Sequence, residues 1–279
     1  MTMEIILART SGFCMGVKRA MQIAINTAEN SDQPVYTCGP LIHNPQAVAY
    51  LQEHGVDSVS DWQTVAAGTI IIRAHGMPNG SIDKIRGQGL GVVDATCPHV
   101  VTSQRQIKKY SEQGYFVYII GDPRHPEILS LQSFAQENHR LIADYAEAEK
   151  EQPPAKIMII AQTTYNADEF NKIAQLLKSR AQNAVISDSI CQATSERQKE
   201  IKRLAADADA VVIVGGKASA NTCRLAEIAR ALCPRTFHVE TEAELNRDDF
   251  AGVNRLVVSA GASTPDFITS KVIDFLKSL

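Results

Sequence analysis

DATCP (residues 94–98) is the stretch that decides the fold, because variants of it occur three times along this 279-residue chain. The other two copies are SGFC (11–14) and DSIC (188–191), and a segment with a helical pattern follows each copy. The cysteines of the three copies are Cys14, Cys97 and Cys191. They stand 83 and then 94 residues apart (97−14, 191−97). Self-similarity of this kind predicts one supersecondary unit that is used three times.

The remainder of each copy repeats as well. An apolar strand follows each helical segment and leads into a polar loop, which reads LIHNP, GDPRHPE or GGKASAN. The polar residue of the loop stands 29, 28 and 28 residues after the cysteine (43−14, 125−97, 219−191). A later strand in each copy ends in a second polar turn. Because ligands bind outside the carboxyl ends of parallel strands, the expected site residues are Cys14, His43, His75, Cys97, His125, Thr163, Cys191, Ser219 and Ser263.

Strand-like runs rich in Val and Ile alternate with helix-length segments throughout the chain. Nearly continuous apolar runs are typical of strands that are covered on both faces, as in parallel sheets. We therefore predict an α/β fold of three similar small parallel-sheet domains with about four strands each. The expected domains are residues 1–96, 97–190 and 191–279, the last with a C-terminal helix.

Composition narrows the class of protein. An apolar fraction of 44% and a charged fraction of 21% are ordinary for a globular domain. The net charge of −3 predicts no nucleic-acid partner, and no apolar stretch has membrane-spanning length. The start, MTMEIILARTSGF, carries Glu4 and no export-type cleavage site, so we read it as a first strand. We expect a cytoplasmic protein that is a monomer or a weak dimer.

Three thiolates without a fourth ligand favour an iron–sulfur cluster or a zinc ion. Structural zinc usually takes four ligands in closely spaced pairs, which are absent from this sequence. A cubane cluster held by three thiolates would leave one iron free to act as a Lewis acid on a substrate oxygen. A lone cysteine is more often an inert core residue, but three at equivalent points of a repeat argue against that reading. The remaining cysteines have no repeat equivalents and are assigned to packing: Cys38, Cys223 and Cys233.

Glu127, two residues after His125, is the candidate for proton transfer, because a carboxylic acid in a closed pocket can hold a raised pKa. The three histidines could be metal ligands or phosphate donors. Together with hydroxyl and amide groups and helix N-termini, they make a donor set that suits a diphosphate. The hydroxyl and amide groups are those of Thr163, Ser219, Asn221 and Ser263. No Walker-type loop is present, which argues against nucleotide hydrolysis.

Nine motifs in order resemble one known family. They are GFCMGV, LIHNP, AHG, DATCP, HPE, QTT, SICQAT, ASAN and GAS. From about Ala8 to the end, the chain is similar to the LytB (IspH) family of 4-hydroxy-3-methylbut-2-enyl diphosphate reductases. The resemblance implies three α/β domains in a pseudo-threefold arrangement around a central [4Fe–4S] cluster with three cysteine ligands and one open iron site. It also implies reductive dehydroxylation of an allylic diphosphate to isopentenyl and dimethylallyl diphosphate, with a ferredoxin- or flavodoxin-type electron donor.

The resemblance further implies a role for each site residue. Cys14, Cys97 and Cys191 would bind iron, and Glu127 would relay protons. Thr163 or Thr164 would lie near the substrate hydroxyl. Ala220 stands where many members have serine, so its contact would come from the backbone. The full set of implied substrate-binding residues is His43, His75, His125, Thr163, Thr164, Ser219, Ala220, Asn221 and Ser263.

Two departures from the family pattern leave alternatives open. Thr10-Ser11 replaces the common Pro-Arg, and residues 128–131 read ILSL where the family usually has a glycine close behind HPE. One alternative is a paralogue that reduces another allylic or hydroxylated substrate. The other is a non-catalytic iron–sulfur redox sensor.

Overall fold

The computed structural model describes residues 3–279, and within that range twelve strands form three sheets. The strands are β1 (Glu4–Leu7), β2 (Val35–Cys38), β3 (Val56–Val59), β4 (Thr69–Ile72), β5 (Gly91–Asp94), β6 (Phe116–Ile120), β7 (His139–Ile142), β8 (Lys156–Ala161), β9 (Asn183–Ile186), β10 (Ala210–Val214), β11 (Thr236–Val239) and β12 (Arg255–Ala260). The α-helices are α1 (Met15–Glu29), α2 (Pro45–Glu53), α3 (Ser81–Gly87), α4 (Pro98–Glu112), α5 (Pro126–Gln132), α6 (Tyr145–Glu149), α7 (Ala167–Arg180), α8 (Gln192–Ala205), α9 (Ala220–Leu232) and α10 (Asp266–Lys277). Short 3₁₀ helices cover Trp62–Thr64, Glu242–Glu244 and Arg247–Phe250.

All three sheets are parallel and share one strand order. The first sheet runs β3-β2-β4-β5, the second β7-β6-β8-β9 and the third β11-β10-β12-β1. In each sheet the first strand of the repeat lies inside, between the second and the third. The predicted α/β class with three similar four-stranded parallel sheets is confirmed.

The first strand lies in a different sheet from the one expected. β1 pairs with β12 in register from Glu4↔Arg255 to Leu7↔Val258, so it completes the third sheet instead of joining the first predicted domain. It occupies the place that β5 and β9 have in the other sheets, and each of these strands leads to one of the repeated cysteines. A local sequence pattern can identify β1 as a strand, but it cannot show which strand β1 pairs with, because β12 lies about 250 residues away in the chain. The domain boundaries near the second and third cysteines stay predictions.

One strand, β3, has no clear signal in the sequence and was not predicted. β3, with the sequence VDSV, pairs with β2 at the edge of the first sheet. Asp57 and Ser58 are exposed, so only Val56 and Val59 carry an apolar signal. Four residues with two adjacent polar positions lack both the continuous run and the alternation that indicate a strand.

The apolar runs of the third sheet fill cores on both of its faces. Val212, Val214 and Val258 belong to one core, which includes residues of α10. Val211, Ile213 and Val257 belong to the other, which includes residues of α8 and α9. Because successive side chains of a strand point to opposite faces, burial on both faces requires an uninterrupted apolar run.

The chain divides into two compact units. The one-sheet unit consists of residues up to Gln22, Ile42–His54 and Gln192–Leu279, and it contains the third sheet. The two-sheet unit consists of Ile23–Leu41 and Gly55–Cys191, and it contains the first and second sheets. Among residues 3–279, no helix combines the length and the apolarity needed to cross a membrane.

Candidate active site

The three repeated cysteines each stand immediately before an α-helix. Cys14 precedes α1, Cys97 is the N-cap of α4, and Cys191 precedes α8. Each is partly exposed, and none of the cysteines within residues 3–279 forms a disulfide. The prediction that the cysteines begin helices is therefore confirmed.

A backbone hydrogen bond makes the three cysteine positions structurally equivalent. In each case the cysteine N–H donates to a carbonyl oxygen in the turn after the third strand of the same sheet. The acceptors are Ala262 for Cys14 (3.1 Å), Ala74 for Cys97 (3.0 Å) and Thr163 for Cys191 (3.1 Å). The turns of His75, Thr163 and Ser263 thus hold the cysteines by the same main-chain contact.

The sulfur of Cys14 lies among helix N–H donors. The Val17 N–H approaches its Sγ at 3.4 Å, in the first turn of α1. The N-terminus of a helix presents unsatisfied N–H groups and a partial positive charge, which suit an anionic ligand group. A partly exposed sulfur at such a position is available to a metal or cluster.

The loops after the first strand of each sheet end in helix N-caps, and here one predicted equivalence is wrong. The N-caps are Asn44 for α2, His125 for α5 and Ser219 for α9, so His43 precedes the equivalent position by one residue. Asn44 Oδ1 accepts the Ala47 N–H at 2.9 Å. Asparagine is among the preferred N-caps, which accounts for the shift.

Glu127 lies in the first turn of α5 and is 1% exposed. One carboxylate oxygen accepts the Thr163 N–H at 2.7 Å, and the other accepts the Thr163 hydroxyl at 2.9 Å. Burial raises the pKa of Glu127 to about 7, although the two hydrogen bonds from Thr163 oppose the rise. A carboxyl group with a pKa in this range can give or take a proton near neutral pH.

Of the two candidate threonines, only Thr163 contacts the carboxylate. The hydroxyl of Thr164 instead accepts a hydrogen bond from Gln162 Nε2 at 3.0 Å. Gln162 is 3% exposed, and its Oε1 accepts the Asp122 N–H at 3.3 Å. It thus ties the Thr163 turn to the loop that leads to His125. Sequence reasoning gave Gln162 no role, and its only signal was its place in the QTT motif.

His75 and His125 lie together in the two-sheet unit. Their rings meet edge to face, with centroids 5.1 Å apart and an interplanar angle of 84°. His125 Nδ1 accepts the Glu127 N–H at 3.2 Å. In the neutral ring the proton is therefore on Nε2.

The one-sheet unit contains a second group of polar side chains. The hydroxyl groups of Ser219 and Ser263 are 3.3 Å apart, and the Ser263 hydroxyl also lies 3.5 Å from the carbonyl oxygen of His43. Asn221, in the first turn of α9, is only 5% exposed. Neither its Oδ1 nor its Nδ2 has a hydrogen-bond partner among residues 3–279. A buried amide without partners is costly, so this group fits a ligand that supplies them.

Gly216 lets the two loops of this second group meet. A Cβ at this position would lie 2.4 Å from the carbonyl oxygen of His43 and 3.3 Å from Cα of Asn44. Only glycine permits this approach of one backbone to another. Close packing against the His43 backbone is therefore the role of this glycine.

The first departure from the family pattern has a structural explanation. Glu200 of α8 accepts hydrogen bonds from Arg9 N–H (3.0 Å), Thr10 N–H (2.9 Å) and the Thr10 hydroxyl (2.7 Å). Arg197, one turn earlier, donates to the carbonyl oxygen of Gly12 at 2.7 Å. A proline at position 10 would have no N–H for Glu200. Thr10 therefore anchors the loop that leads to Cys14.

These features define an α/β enzyme with partly exposed cysteines at helix starts, a buried acid of raised pKa and a set of buried amide and hydroxyl groups. The chain belongs to the LytB protein family, which matches residues 5–277. It is 42% identical over 278 residues to a 4-hydroxy-3-methylbut-2-enyl diphosphate reductase of Anaeromyxobacter sp. (strain Fw109-5), covering 99% of this chain and 98% of the relative. It is 40% identical over 272 residues to the reductase of the same name from Geobacter sulfurreducens, covering 98% and 96%.

Two solved structures are similar over the whole chain. One is described as (E)-4-hydroxy-3-methyl-but-2-enyl diphosphate reductase, the terminal enzyme of the non-mevalonate pathway. It is 36% identical with a TM-score of 0.71, and the match covers 100% of both chains. The other is the E-1-hydroxy-2-methyl-but-2-enyl-4-diphosphate reductase of Plasmodium falciparum, 24% identical with a TM-score of 0.94, covering 99% of this chain and 88% of that one. The second likeness supports the fold alone.

Proposed function

We propose that this chain is an oxidoreductase that reductively dehydroxylates 4-hydroxy-3-methylbut-2-enyl diphosphate to isopentenyl and dimethylallyl diphosphate, the last step of the non-mevalonate pathway. The family membership supports the reaction, and the hydrogen-bonded pair of Glu127 and Thr163 is the observation that carries it. The reaction adds two electrons and two protons to the substrate and releases water. A buried acid whose pKa is about 7 can supply a proton at neutral pH.

Cys14, Cys97 and Cys191 would hold a [4Fe–4S] cluster, and one iron would have no protein ligand. The chemistry of the donor set fits, because three partly exposed thiols occupy equivalent helix starts and none is in a disulfide within residues 3–279. When bound, such a cluster supplies electrons and a Lewis acid for the substrate oxygen. The electrons would come from a ferredoxin- or flavodoxin-type donor.

The diphosphate would be bound by histidine, hydroxyl and amide groups. Nε2–H of His125 would donate to a phosphate oxygen, since Nδ1 already accepts the Glu127 N–H. The Asn221 amide would gain in the complex the partners that it lacks among residues 3–279. Ala220 would contribute only its N–H, in the first turn of α9. The proposed binding residues are His43, His75, His125, Ser219, Ala220, Asn221 and Ser263.

Glu127 would deliver a proton through Thr163. The Thr163 hydroxyl lies 2.9 Å from the carboxylate. When Glu127 is protonated, it can pass its proton to the Thr163 oxygen while Thr163 passes its own to the leaving hydroxyl group. As the C–O bond breaks, the hydroxyl leaves as water with this proton, and the allylic fragment takes up the two electrons from the external donor and a second proton from solvent. Glu127 is left ionised until it is reprotonated. Thr164 is the less favoured relay, because its hydroxyl is held by Gln162.

The alternatives have less support. The contacts of Thr10 with Glu200 are internal to the protein, so this departure from the family pattern requires no different substrate. A redox sensor would need neither a buried acid of raised pKa nor a buried amide without protein partners. We also propose that the protein is cytoplasmic and a monomer or weak dimer.

Complementation of a bacterial strain that lacks the reductase tests the function directly. Growth without added isoprenoid precursors is expected. The anaerobically purified protein should absorb broadly near 400 nm, as thiolate-bound clusters do, and Cys97→Ser should greatly weaken that band. Cys233→Ser is the control, because Cys233 is buried in a core and is not part of the repeat. A colourless protein with bound zinc, or failure to complement, would refute the proposal.

A further inference from the structure

Helix α5 has functional contacts at both of its ends. His125 and Glu127 lie at its N-terminal end. At its other end the Ser130 hydroxyl donates to the carbonyl oxygen of Met77 at 2.9 Å, and the Ser133 hydroxyl accepts the Asn79 N–H at 2.7 Å. The helix therefore connects the proton-transfer group to the loop that follows His75.

The hydrogen bonds of Ser130 fix its orientation. Its oxygen accepts a hydrogen bond from Gln104 Nε2 at 2.9 Å while its proton goes to Met77. Ser130 is 0% exposed and Gln104 is 8% exposed. A hydroxyl that donates and accepts in a buried site has little freedom to turn away from either partner.

The His75 loop lies directly on these side chains. Gly76 has φ +75°, and a Cβ there would stand 2.6 Å from Gln104 Nε2 and 3.0 Å from Ser130 Oγ. The Gly76 N–H donates to the Arg73 carbonyl oxygen at 2.9 Å, which closes a turn around His75. A side chain at residue 76 would be strained at this φ and would press on the side chains of Gln104 and Ser130.

Hydrogen bonds fix the backbone on both sides of His75. Before it, the Ala74 carbonyl oxygen accepts the Cys97 N–H at 3.0 Å. After it, the Met77 carbonyl oxygen accepts the Ser130 hydroxyl. Its ring packs edge to face against His125, which caps the same helix that carries Ser130. The Ser130 contact therefore links the His75 loop to the helix that His125 caps.

We propose that Ser130 is a positioning residue, whose hydroxyl fixes the His75 loop to α5 so that the His75 and His125 rings together bind the diphosphate of the substrate. The inference rests on the proposed assignment of these histidines to the diphosphate site.

The matched test compares Ser130→Ala with Ser111→Ala in the holoenzyme under anaerobic conditions. Ser111 is also buried, at 4% exposed, and its hydroxyl accepts the Gln136 N–H at 2.8 Å away from the His75 loop. The loss of one buried hydrogen bond, of about 1 kcal/mol, predicts a KM for the allylic diphosphate that is about fivefold higher in Ser130→Ala. The kcat and the absorbance near 400 nm should stay close to wild type. Ser111→Ala should leave KM unchanged.

A double-mutant cycle separates positioning from general damage. The dissociation constant of inorganic diphosphate, measured by calorimetry, should rise in Ser130→Ala and in His75→Ala. In the His75→Ala background, Ser130→Ala should add no further loss. Equal losses in both backgrounds, or equal KM changes in Ser130→Ala and Ser111→Ala, would overturn the positioning role. No loss in His75→Ala would instead overturn the diphosphate site on which the inference rests.

Ser133→Ala keeps the proposal testable if Ser130→Ala does not fold. It removes the neighbouring contact to the Asn79 N–H at a partly exposed position. A smaller increase in KM is expected, again lost in the His75→Ala background. An unchanged KM in Ser133→Ala, with Ser130→Ala unfolded, would count against a positioning role for the loop contact.

Discussion

Glu127 and Asn221 are both buried at the start of a helix, yet their hydrogen bonding is opposite. Both carboxylate oxygens of Glu127 are bonded to Thr163. Neither polar atom of the Asn221 side chain has a partner among residues 3–279. The two-sheet unit thus has a buried acid whose hydrogen-bond partners are already in place, whereas the one-sheet unit has a buried amide with none among residues 3–279.

The difference shows two ways to prepare a site. A bonded acid needs no rearrangement when the reaction begins, which is the electrostatic advantage of a preorganised group. A buried amide without partners costs about 1–3 kcal/mol in the ligand-free protein. Binding of the diphosphate would remove that cost, so part of the affinity would come from relief of a penalty built into the folded protein.

Glu127→Gln should lower kcat more than any other variant, and it tests the buried acid in this comparison. Glutamine can occupy the same space but cannot release a proton, so kcat should fall about 10²- to 10³-fold. The substrate KM and the absorbance near 400 nm should remain close to wild type, because binding and the cluster do not depend on this proton. Steady-state kinetics and anaerobic spectra measure both.

Glu147→Gln is the matched control for charge. Glu147 is exposed, and its carboxylate accepts only the Ala143 N–H within the two-sheet unit. Its kinetics should not change. Turnover that survives in Glu127→Gln would remove this residue from the proton relay.

Asn221→Ala tests the other side of the comparison. Hydrogen bonds to a charged ligand contribute about 1.5–3 kcal/mol, so KM should rise about 10- to 100-fold with little change in kcat. The ligand-free variant should be at least as stable as wild type, because the buried amide is gone. Asn166→Ala is the contrast, since Asn166 caps α7 with both Asp168 and Glu169 N–H groups bonded to its oxygen. It should lose about 1 kcal/mol of stability and keep its KM. A destabilised Asn221→Ala with unchanged KM would give this amide a structural role instead.

Thr163→Val should lower kcat less than Glu127→Gln does, and it should shift the pKa of Glu127 in one defined direction. Valine removes the hydrogen bond from the residue 163 hydroxyl, which favours the carboxylate form of Glu127. It keeps the hydrogen bond from the residue 163 N–H. The pKa of Glu127 should therefore rise above its value of about 7. Because the acid must be protonated to act, the alkaline limb of the kcat–pH profile should move to higher pH. The maximal kcat should fall about tenfold as the relay is lost.

Thr236→Val is the control for this experiment. Thr236 is likewise a buried threonine, and its hydroxyl donates to the Cys233 carbonyl oxygen at 2.6 Å, in the third sheet. It should leave the pH profile in place. A limb that moves to lower pH in Thr163→Val would contradict the role of this hydroxyl in stabilising the carboxylate.

Much of the site could be predicted from local pattern. The motif before each cysteine, with its helical segment behind it, was enough to place the cysteines at helix starts. The HPE motif was enough to single out Glu127, because this acid stands two residues after His125 on a loop that recurs in the repeat. The equivalence of His43 with His125 failed by one residue, since a capping asparagine beside it competes for the N-cap.

Other features have no local signal. The contact between Glu127 and Thr163 joins residues 36 apart in sequence, and the bond between Ser130 and Met77 joins residues 53 apart. The pKa of Glu127 depends on burial by neighbouring elements, which no motif states. Thr10 departs from the family pattern, and no motif shows that its hydrogen bonds to Glu200 anchor the loop that leads to Cys14.

The sequence by itself determined the α/β class, the threefold repeat and the residue types at each strand end, because strand and helix periodicity and helix capping act over a few residues. Only the tertiary structure decided which sheet takes β1, which threonine meets Glu127, and that the buried Asn221 amide has no hydrogen-bond partner among residues 3–279. These outcomes depend on pairing and burial between segments far apart in the chain. Hydrogen-bond partners and desolvation exist only once those segments are packed.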